Sequence, residues 1–296
     1  MNVTIIGAGA WGCALGFVAK KAGHNVAFWS RQHPILPEQS NVVILAVPAQ
    51  HLREVLSQIP RSNAPLISAA KGIERATGKL MSEIMNDVHP HTEHYALSGP
   101  SFAADVITGL PTAVTLAGPS LDKALHLAEM LSTSHFRIYP SDDVTGVEIG
   151  GAMKNVLAIA CGIVDGAVLG ESARASLVTR GFAELSRYAK AKGAKSQTLM
   201  GLSGIGDLML TCSSTKSRNY SYGLAIGQGV SVAEALSTAK GVVEGAYTAG
   251  IAAKLAVESN IEMPIVQAVA NIVSGHSSTH TEITKLMARP LRAEIE

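Results

Sequence analysis

Aromatic side chains and cysteines are scarce in this sequence. Aromatic residues make up 4% of the 296 residues and apolar residues 47%, so the core must be built from alanine, valine, leucine and isoleucine. There are three cysteines, Cys13, Cys161 and Cys212. Their odd number and wide spacing exclude a disulfide framework and favour a reducing compartment, which predicts a cytoplasmic protein.

The sequence also has no excess of acidic or of basic residues. The 24 basic and 23 acidic residues give a net charge of +1, with no long run of either sign. This excludes a strongly basic surface for nucleic acid or for acidic lipids. A glycine-rich turn at Gly7 interrupts the first apolar run, so no signal peptide is expected. The apolar run after Glu148 contains Lys154, Asn155 and Asp165, which predicts no membrane insertion.

The first motif is a glycine-rich turn between a strand and a helix. Residues 2–6 are a β-branched run, Gly7-Ala-Gly9-Ala10-Trp11-Gly12 follows, and residues 13–21 have a helical pattern. The motif Gly-x-Gly-x-x-Gly in this context is the dinucleotide-binding fingerprint, whose helix N-terminus faces the pyrophosphate. A tight turn without a ligand is the alternative, and the flanking strand and helix argue against it.

The second strand, residues 25–29, is followed by Arg31 and then by a short connection. An arginine at this place accommodates a 2′-phosphate, which favours NADP(H) as cofactor. An exposed arginine without that role leaves NAD(H) open. Residues 32–41 contain two prolines and are too few for a helix and a further strand. We therefore expect the sheet to lack a strand on the Arg31 side.

Further strands are predicted at residues 42–47, 66–70, 95–97, 112–116 and 136–139. Lys71 follows the fourth strand, and Ser98-Gly-Pro-Ser-Phe-Ala103 follows the fifth. Open α/β sheets bind ligands at such strand ends. In the alternative interpretation, Lys71 is a surface lysine and Ser101 caps a helix. The pattern predicts an α/β Rossmann-type N-terminal domain, residues 1–147, shortened after its second strand.

Residues 148–296 predict an all-α C-terminal domain. Its first segment is an apolar run that carries Lys154, which either extends its ammonium to water or has a function. Gly193 is a predicted helix C′ residue, and Pro264 is predicted in a first turn. Two capping boxes are predicted, from Ser231 to Glu234 and from Thr279 to Glu282.

A polar segment lies between these helices. Residues 204–220 place Asp207 among glycines and apolar residues, and then concentrate hydroxyls, Lys216 and Arg218 in a predicted loop before a helix. Such a loop can bind a small phosphate through charge-assisted hydrogen bonds and a helix N-terminus. In the alternative interpretation the loop is solvated and Ser217 is only a cap. The histidines at 89, 91 and 94 have no recognised ligand pattern, so no metal is predicted.

Together these motifs resemble the bacterial type of NAD(P)-dependent sn-glycerol-3-phosphate dehydrogenase. The resemblance covers nearly the whole chain, in the family's order. It rests on the glycine turn with Trp11, on two strand-end motifs, on Lys154-Asn155 and on three C-terminal motifs. The strand-end motifs are Lys71-Gly-Ile-Glu74 and Ser98-Gly-Pro-Ser-Phe-Ala103; the C-terminal ones are Gly204-Ile-Gly-Asp207, Ser217-Arg-Asn219 and Val242-Val-Glu244.

The resemblance implies an active site between the two domains, with Lys154 as proton acceptor. The implied substrate contacts are Lys71, Gly99, Ser101, Lys154, Asp207, Ser217, Arg218 and Asn219. The cofactor contacts are Gly7, Gly9 and Gly12 from the fingerprint, and by resemblance Ala10, Trp11, Arg31, Lys71, Ala103, Arg218, Val242 and Glu244. The implied reaction interconverts sn-glycerol 3-phosphate and dihydroxyacetone phosphate and supplies phospholipid synthesis. A homodimer is common in the family.

Two departures from the family leave alternatives open. Ala10 stands where the family usually has serine, and the connection after Arg31 lacks the usual helix and strand. A non-catalytic protein that binds glycerol phosphate and holds the nucleotide weakly is one alternative. A related two-domain dehydrogenase acting on a non-phosphorylated hydroxy acid is the other, and the hydroxyl-rich loop with Lys216 and Arg218 argues against it.

Overall fold

The N-terminal half is a seven-stranded sheet with helices on its faces. A computed structural model describes residues 1–29, 40–60, 63–291 and 293–294. The strands are β1 Asn2–Ile6, β2 Asn25–Trp29, β3 Val42–Leu45, β4 Leu66–Ser68, β5 His94–Ser98, β6 Thr112–Ala117 and β7 Phe136–Ser141. Their order is β2-β1-β3-β4-β5-β6-β7, and all neighbours are parallel except β5 and β6.

Helices fill the connections and form the second half of the chain. In the first half they are α1 Ala10–Lys21, α2 Leu52–Ser57, α3 Met81–Val88, α4 Ala103–Ile107 and α5 Leu121–Leu131. In the second half they are α6 Val144–Gly166, α7 Glu171–Ala191, α8 Ser196–Leu199, α9 Asp207–Cys212, α10 Arg218–Gly227, α11 Val232–Ser237, α12 Glu244–Glu258, α13 Pro264–Val273 and α14 Thr279–Met287. A 3-10 turn, Ala49–His51, precedes α2, and a π-helical turn, Leu202–Gly206, precedes α9. The predicted fold class, a Rossmann-type half followed by a helical half, is confirmed.

The sheet ends at β2 within the described residues, as the short connection predicts. Arg31 and most of that connection lie outside the described residues, so the prediction made from Arg31 stays a prediction. The domain division at residues 147 and 148 also stays a prediction, and α6 extends across it.

Helix α6 forms the centre of the helical half. Nearly all of its residues are buried, because it is apolar on every face and other helices surround it. Among the described residues it alone is long and apolar enough to cross a membrane, and that stretch is completely buried inside the protein.

Helices α6 and α10 pack through reciprocal glycines spaced four residues apart. A methyl group at Gly162 of α6 would lie 2.1 Å from the Tyr220 carbonyl oxygen, and one at Gly223 of α10 would lie 2.0 Å from the Ile159 carbonyl oxygen. Gly166 and Gly227 repeat this arrangement one turn further on. The backbones of the two helices are therefore in direct contact, and no side chain separates them.

A Gly223→Ala change should destabilise the protein, because the added methyl group must push α10 away from α6. We expect the free energy of unfolding to fall by about 1–3 kcal/mol, the usual cost of overpacking. Gly250 of α12 is the matched control, since a methyl group there meets nothing within 4 Å. Gly250→Ala should stabilise by about 0.5–1 kcal/mol. Urea unfolding measures both, and equal effects would contradict the packing argument.

Two predicted features of the helical half are wrong. The cap of α14 is Ser278, whose hydroxyl accepts a hydrogen bond from the Thr281 backbone N–H, and Thr279 is the first helical residue. Residues 204–220 are not one loop, because the π-helical turn and α9 occupy most of the segment up to Cys212. Only half of the capping box at Ser231 is confirmed, because Ser231 accepts from the Glu234 N–H but the described structure has no bond from the Ser231 N–H to the Glu234 side chain. The first-turn Pro264 and the positive φ of Gly193 are confirmed.

Candidate active site

A buried carboxylate with two lysines forms the centre of the site. Asp207, the first residue of α9, is 1% exposed. Its Oδ1 accepts a hydrogen bond from Lys154 Nζ at 2.6 Å, and its Oδ2 accepts one from Lys71 Nζ at 2.7 Å. Lys154 also donates to Thr211 Oγ1 at 2.9 Å, and Lys71 donates to the Gly99 carbonyl at 3.1 Å. Three distant chain segments thus meet at one carboxylate.

Each of these side chains is placed by an element end or a helix face. Lys71 and Gly99 follow β4 and β5, so they lie at the carboxyl edge of the sheet. Lys154 projects from the middle of α6. Thr211 lies one turn after Asp207 on α9, and the four-residue spacing puts both on one helix face. Lys154 is therefore not a snorkelling lysine, because its ammonium is buried and paired.

The charges in this cluster shift two pKa values. Burial lowers the pKa of Lys154 to about 8; the Asp207 carboxylate opposes this shift, and the Lys71 ammonium adds to it. Burial on its own raises the pKa of Asp207, but the two ammonium groups outweigh it and hold that pKa below its usual range. At neutral pH the cluster therefore has two cations and one anion, and the pKa of Lys154 lies close to that pH.

A second layer of amide hydrogen bonds supports the cluster. Asn155, next to Lys154 on α6, donates to the Lys71 carbonyl at 3.3 Å and accepts from Asn219 Nδ2 at 2.9 Å. Asn219 Oδ1 in turn accepts from the Gly245 backbone N–H at 2.9 Å. The start of α10 and the start of α12 are thereby fixed relative to Lys71 and Lys154.

The first turn of α10 presents a cation and a capped helix start. Ser217 caps α10 by accepting a hydrogen bond from the Tyr220 backbone N–H at 3.3 Å. Arg218 is exposed and has no hydrogen bond or ion pair within the described part of the chain. A Cβ atom at Gly241 would lie 2.8 Å from Arg218 Nη1, which puts Arg218 beside the segment that leads to Val242.

Ser101 does not cap a helix. Its Oγ donates a hydrogen bond to the Gly99 carbonyl, and α4 begins without a side-chain cap.

The residues of the glycine turn fit a dinucleotide. Gly7 has a φ of +104°, and a methyl group at Gly12 would lie 1.8 Å from the Gly7 carbonyl oxygen, so the turn and helix need glycine at both positions. A methyl group at Gly9 would meet nothing within 4 Å, which leaves the turn open above it. Helix α1 starts there without a side-chain cap, so its first N–H groups are available to a phosphate.

Glu244, at the start of α12, forms a hydrogen bond with the turn that follows β3. Its Oε1 accepts a hydrogen bond from the Ala49 backbone N–H at 3.0 Å, which joins α12 to the turn after β3. Its Oε2 is buried and has no hydrogen-bond partner among the described residues. Burial raises the pKa of Glu244, and the Ala49 N–H opposes that shift. An unsatisfied buried oxygen at this position can accept a hydrogen bond from a polar ligand group.

The structure brings most of the predicted site residues into one region. Asp207 contacts Lys71 and Lys154, and Lys71 contacts Gly99; Ser101 and Asn219 join this group through the hydrogen bonds given above. Glu244 bonds to Ala49 and directly precedes Gly245, whose N–H donates to Asn219. Arg31 lies outside the described residues. Thr211 and Asn155 were not predicted as site residues. Thr211 was assigned to a loop, although its four-residue spacing from Asp207 is the signal that could have revealed it.

Two of the clustered histidines, His89 and His94, form hydrogen bonds with backbone carbonyl groups. The imidazole Nε2 of His89 bonds to the Leu56 carbonyl at 3.0 Å, and that of His94 bonds to the His89 carbonyl at 3.0 Å. Within the described ranges, no three side chains of His, Cys, Asp or Glu cluster in a way that could hold a metal ion.

A dinucleotide-binding turn and a buried lysine of lowered pKa in one chain define the class of a nicotinamide-dependent dehydrogenase. Comparison with known proteins gives the family. The family model described as NAD-dependent glycerol-3-phosphate dehydrogenase N-terminus matches residues 2–39 and 36–124. The model described as NAD-dependent glycerol-3-phosphate dehydrogenase C-terminus matches residues 143–284. The chain therefore belongs to the NAD-dependent glycerol-3-phosphate dehydrogenase family.

Individual relatives agree with this assignment. The glycerol-3-phosphate dehydrogenase [NAD(P)+] of Erythrobacter litoralis is 43% identical, with 100% of this chain and 98% of the relative aligned. That of Methylobacterium radiotolerans is 47% identical, over 99% of this chain and 98% of the relative. A crystal structure of the Coxiella burnetii glycerol-3-phosphate dehydrogenase superposes with a TM-score of 0.89 at 32% identity, covering 97% of this chain and 99% of that chain.

The same comparisons bear on the short connection after Arg31. The alignment with the Erythrobacter relative has 325 positions against 296 residues here, so at least 29 positions (325 − 296) lack a residue of this chain. The N-terminal family match is divided into two segments that meet at residues 36–39. The division falls within the connection that the sequence marks as short.

Proposed function

We propose that this chain interconverts sn-glycerol 3-phosphate and dihydroxyacetone phosphate with NAD(P)(H), the reaction for which its relatives are named. The observation that carries the proposal is the buried Lys154–Asp207–Lys71 cluster, which Asn155 and Asn219 join to the helix start that carries Arg218. A proton-transfer group of lowered pKa and a cation for a phosphate are the two parts that this reaction needs.

The nicotinamide cofactor, held by the glycine turn, Trp11, Ala103, Val242 and Glu244, would supply the hydride chemistry. Lys154 takes the proton of the C2 hydroxyl during oxidation and returns it during reduction. Asp207 and Thr211 hold the ammonium in place, and Lys71 favours its deprotonation and stabilises negative charge on the C2 oxygen. Arg218 binds the phosphate, with Ser217 and the N-terminus of α10 beside it.

The first test is the initial rate of dihydroxyacetone phosphate reduction, followed by the absorbance of NADPH and then of NADH. Turnover with a preference for NADPH would support the reaction and the proposed role of Arg31. A folded protein that turns over neither cofactor would favour the alternative of a non-catalytic binding protein, because the connection after Arg31 is short. Isothermal titration with NADPH and with glycerol phosphate would then separate loss of the cofactor site from loss of the substrate site.

Asp207→Asn should shift the pH profile of glycerol phosphate oxidation to lower pH. Oxidation needs neutral Lys154, so kcat/KM of the unchanged protein should rise with pH and level off above about 8. The Asp207 carboxylate raises the pKa of Lys154, so its removal leaves burial and Lys71 unopposed. The midpoint should therefore fall, measured on whatever activity remains. Asp122→Asn, at an exposed position of α5, is the control. A midpoint that stays or rises would contradict the role of Lys154.

The proposal also covers the metabolic role, the location and the oligomeric state of the protein. Supply of glycerol phosphate for phospholipid synthesis follows from the reductive direction. A cytoplasmic location is supported by three free cysteines. A homodimer, implied by the family resemblance, can be checked by sedimentation.

A further inference from the structure

Lys216 joins the loop before α10 to the segment after β5. Its Nζ lies 3.0 Å from Asp105 Oδ1 and 5.8 Å from the centroid of the Phe102 ring. Asp105 and Lys216 are 111 residues apart in the sequence. One ammonium thus contacts an anion and an aromatic face, both supplied by the other half of the chain.

Both sides of this contact carry residues of the proposed site. Asp105 belongs to α4, which begins at Ala103, close to Ser101 and Gly99. Lys216 directly precedes Ser217, the cap of the helix whose first residue is Arg218. The hydrogen bonds of Asn219 hold the start of α10 on the side of α6 and α12, and Lys216 adds a contact on the side of α4, two residues before Arg218.

Apart from the Lys216 side chain, the hydrogen bonds of residues 213–217 join nearby residues in the described part of the chain. They include bonds from the Lys216 N–H to Ser214 Oγ, from the Ser217 N–H to the Ser214 carbonyl, and from Ser221 Oγ to the Thr215 carbonyl. Local turns define the shape of a loop but do not place it relative to a distant segment. The Lys216 side chain supplies that long-range contact.

We propose that Lys216 is a positioning residue that holds the phosphate-binding start of α10 against α4 through Asp105 and Phe102. The inference rests on the proposed function of Arg218. The Lys216 side chain is 60% exposed and that of Asp105 is 32% exposed, so the contact is weak and its effect is several-fold.

The test is binding of sn-glycerol 3-phosphate by calorimetry, together with the KM for dihydroxyacetone phosphate. Lys216→Met keeps the aliphatic stem and removes the charge. It should raise the Kd and the KM by about 3- to 10-fold, with kcat and the KM for NADPH unchanged. Lys254→Met is the matched control, because Lys254 is 68% exposed and pairs with Glu258 on α12. Equal Kd values for Lys216→Met and the unchanged protein would overturn the inference.

Two further variants separate positioning from direct phosphate binding by Lys216. If Lys216 positions the loop, Asp105→Asn should also weaken binding, but by less than Lys216→Met does, because the contact of the ammonium with the Phe102 ring remains. The charge-swapped pair Asp105→Lys with Lys216→Asp should then restore it. Tighter or unchanged binding in Asp105→Asn, or no recovery in the swapped pair, would mean that Lys216 does not act through Asp105. Calorimetry needs no turnover, so an inactive protein would contradict the proposed reaction, while the comparison of Kd values would still decide this inference.

Discussion

Replacing Lys154 by methionine should lower kcat for dihydroxyacetone phosphate reduction by about 10²- to 10⁴-fold, the usual contribution of a positioned proton-transfer group. Methionine has a similar length, so it can occupy the buried space of the Lys154 side chain without leaving a large cavity. The KM for NADPH should change little, because Lys154 contacts Asp207 and Thr211 on the substrate side of the site. Steady-state kinetics at saturating NADPH measures the effect.

Lys154→Arg is the informative control. Arginine keeps a positive charge beside Asp207 but stays protonated at any pH at which the protein is folded. A variant that retains charge yet loses activity assigns proton transfer to Lys154. Arginine with near-normal kcat would show instead that only a cation is needed, and the assignment of Lys154 as proton acceptor would be wrong. Circular dichroism confirms that each variant is folded.

Replacing Arg218 by alanine should raise the KM for dihydroxyacetone phosphate by about 10- to 100-fold, because each hydrogen bond to a charged group contributes about 1.5–3 kcal/mol. The guanidinium is exposed and free of hydrogen bonds in the described structure, so its loss breaks no hydrogen bond and removes only a charge that lowers the pKa of Glu244. The effect then reports on the ligand and not on folding. Arg218→Lys should recover part of the affinity, since lysine keeps the charge but loses the bidentate geometry.

The unphosphorylated substrate dihydroxyacetone separates phosphate binding from other effects. Its slow reduction should be nearly equal in the unchanged protein and in Arg218→Ala. Arg137→Ala, an exposed arginine whose guanidinium lies 5.2 Å from the Tyr139 ring on β7, controls for general loss of surface charge. An unchanged KM for dihydroxyacetone phosphate in Arg218→Ala would exclude Arg218 as the phosphate ligand.

Much of the fold could be predicted because its boundaries depend on local chemistry. The turn from β1 into α1 needs glycine at Gly7 and Gly12, and Pro264 fits a first helical turn, whatever lies around them. The short connection after Arg31 follows from counting residues. The cap of α14 was misplaced by one position because Ser278 and Thr279 are both suitable caps, and only the backbone decides between them.

The site was predicted less completely. Lys71, Lys154 and Asp207 were each predicted as substrate contacts from the family resemblance. That both lysines share the carboxylate of Asp207 was not foreseen, because Lys71 and Asp207 are 136 residues apart and meet only through tertiary packing. The π-helical turn before α9 was also missed. Its two glycines, Gly204 and Gly206, are typical of a loop, and only the surrounding helices make it regular.

The direct contact between α6 and α10 has a consequence for substrate length. Lys154 lies on α6, and Arg218 is the first residue of α10, so the proposed reacting group and the proposed phosphate ligand are on two helices whose backbones touch. A change of side-chain rotamer cannot alter the separation of two backbones in contact. The separation of the backbone positions of Lys154 and Arg218 is therefore fixed by the helices, and only the exposed Arg218 side chain can adjust to a phosphorylated ketone that is one carbon longer.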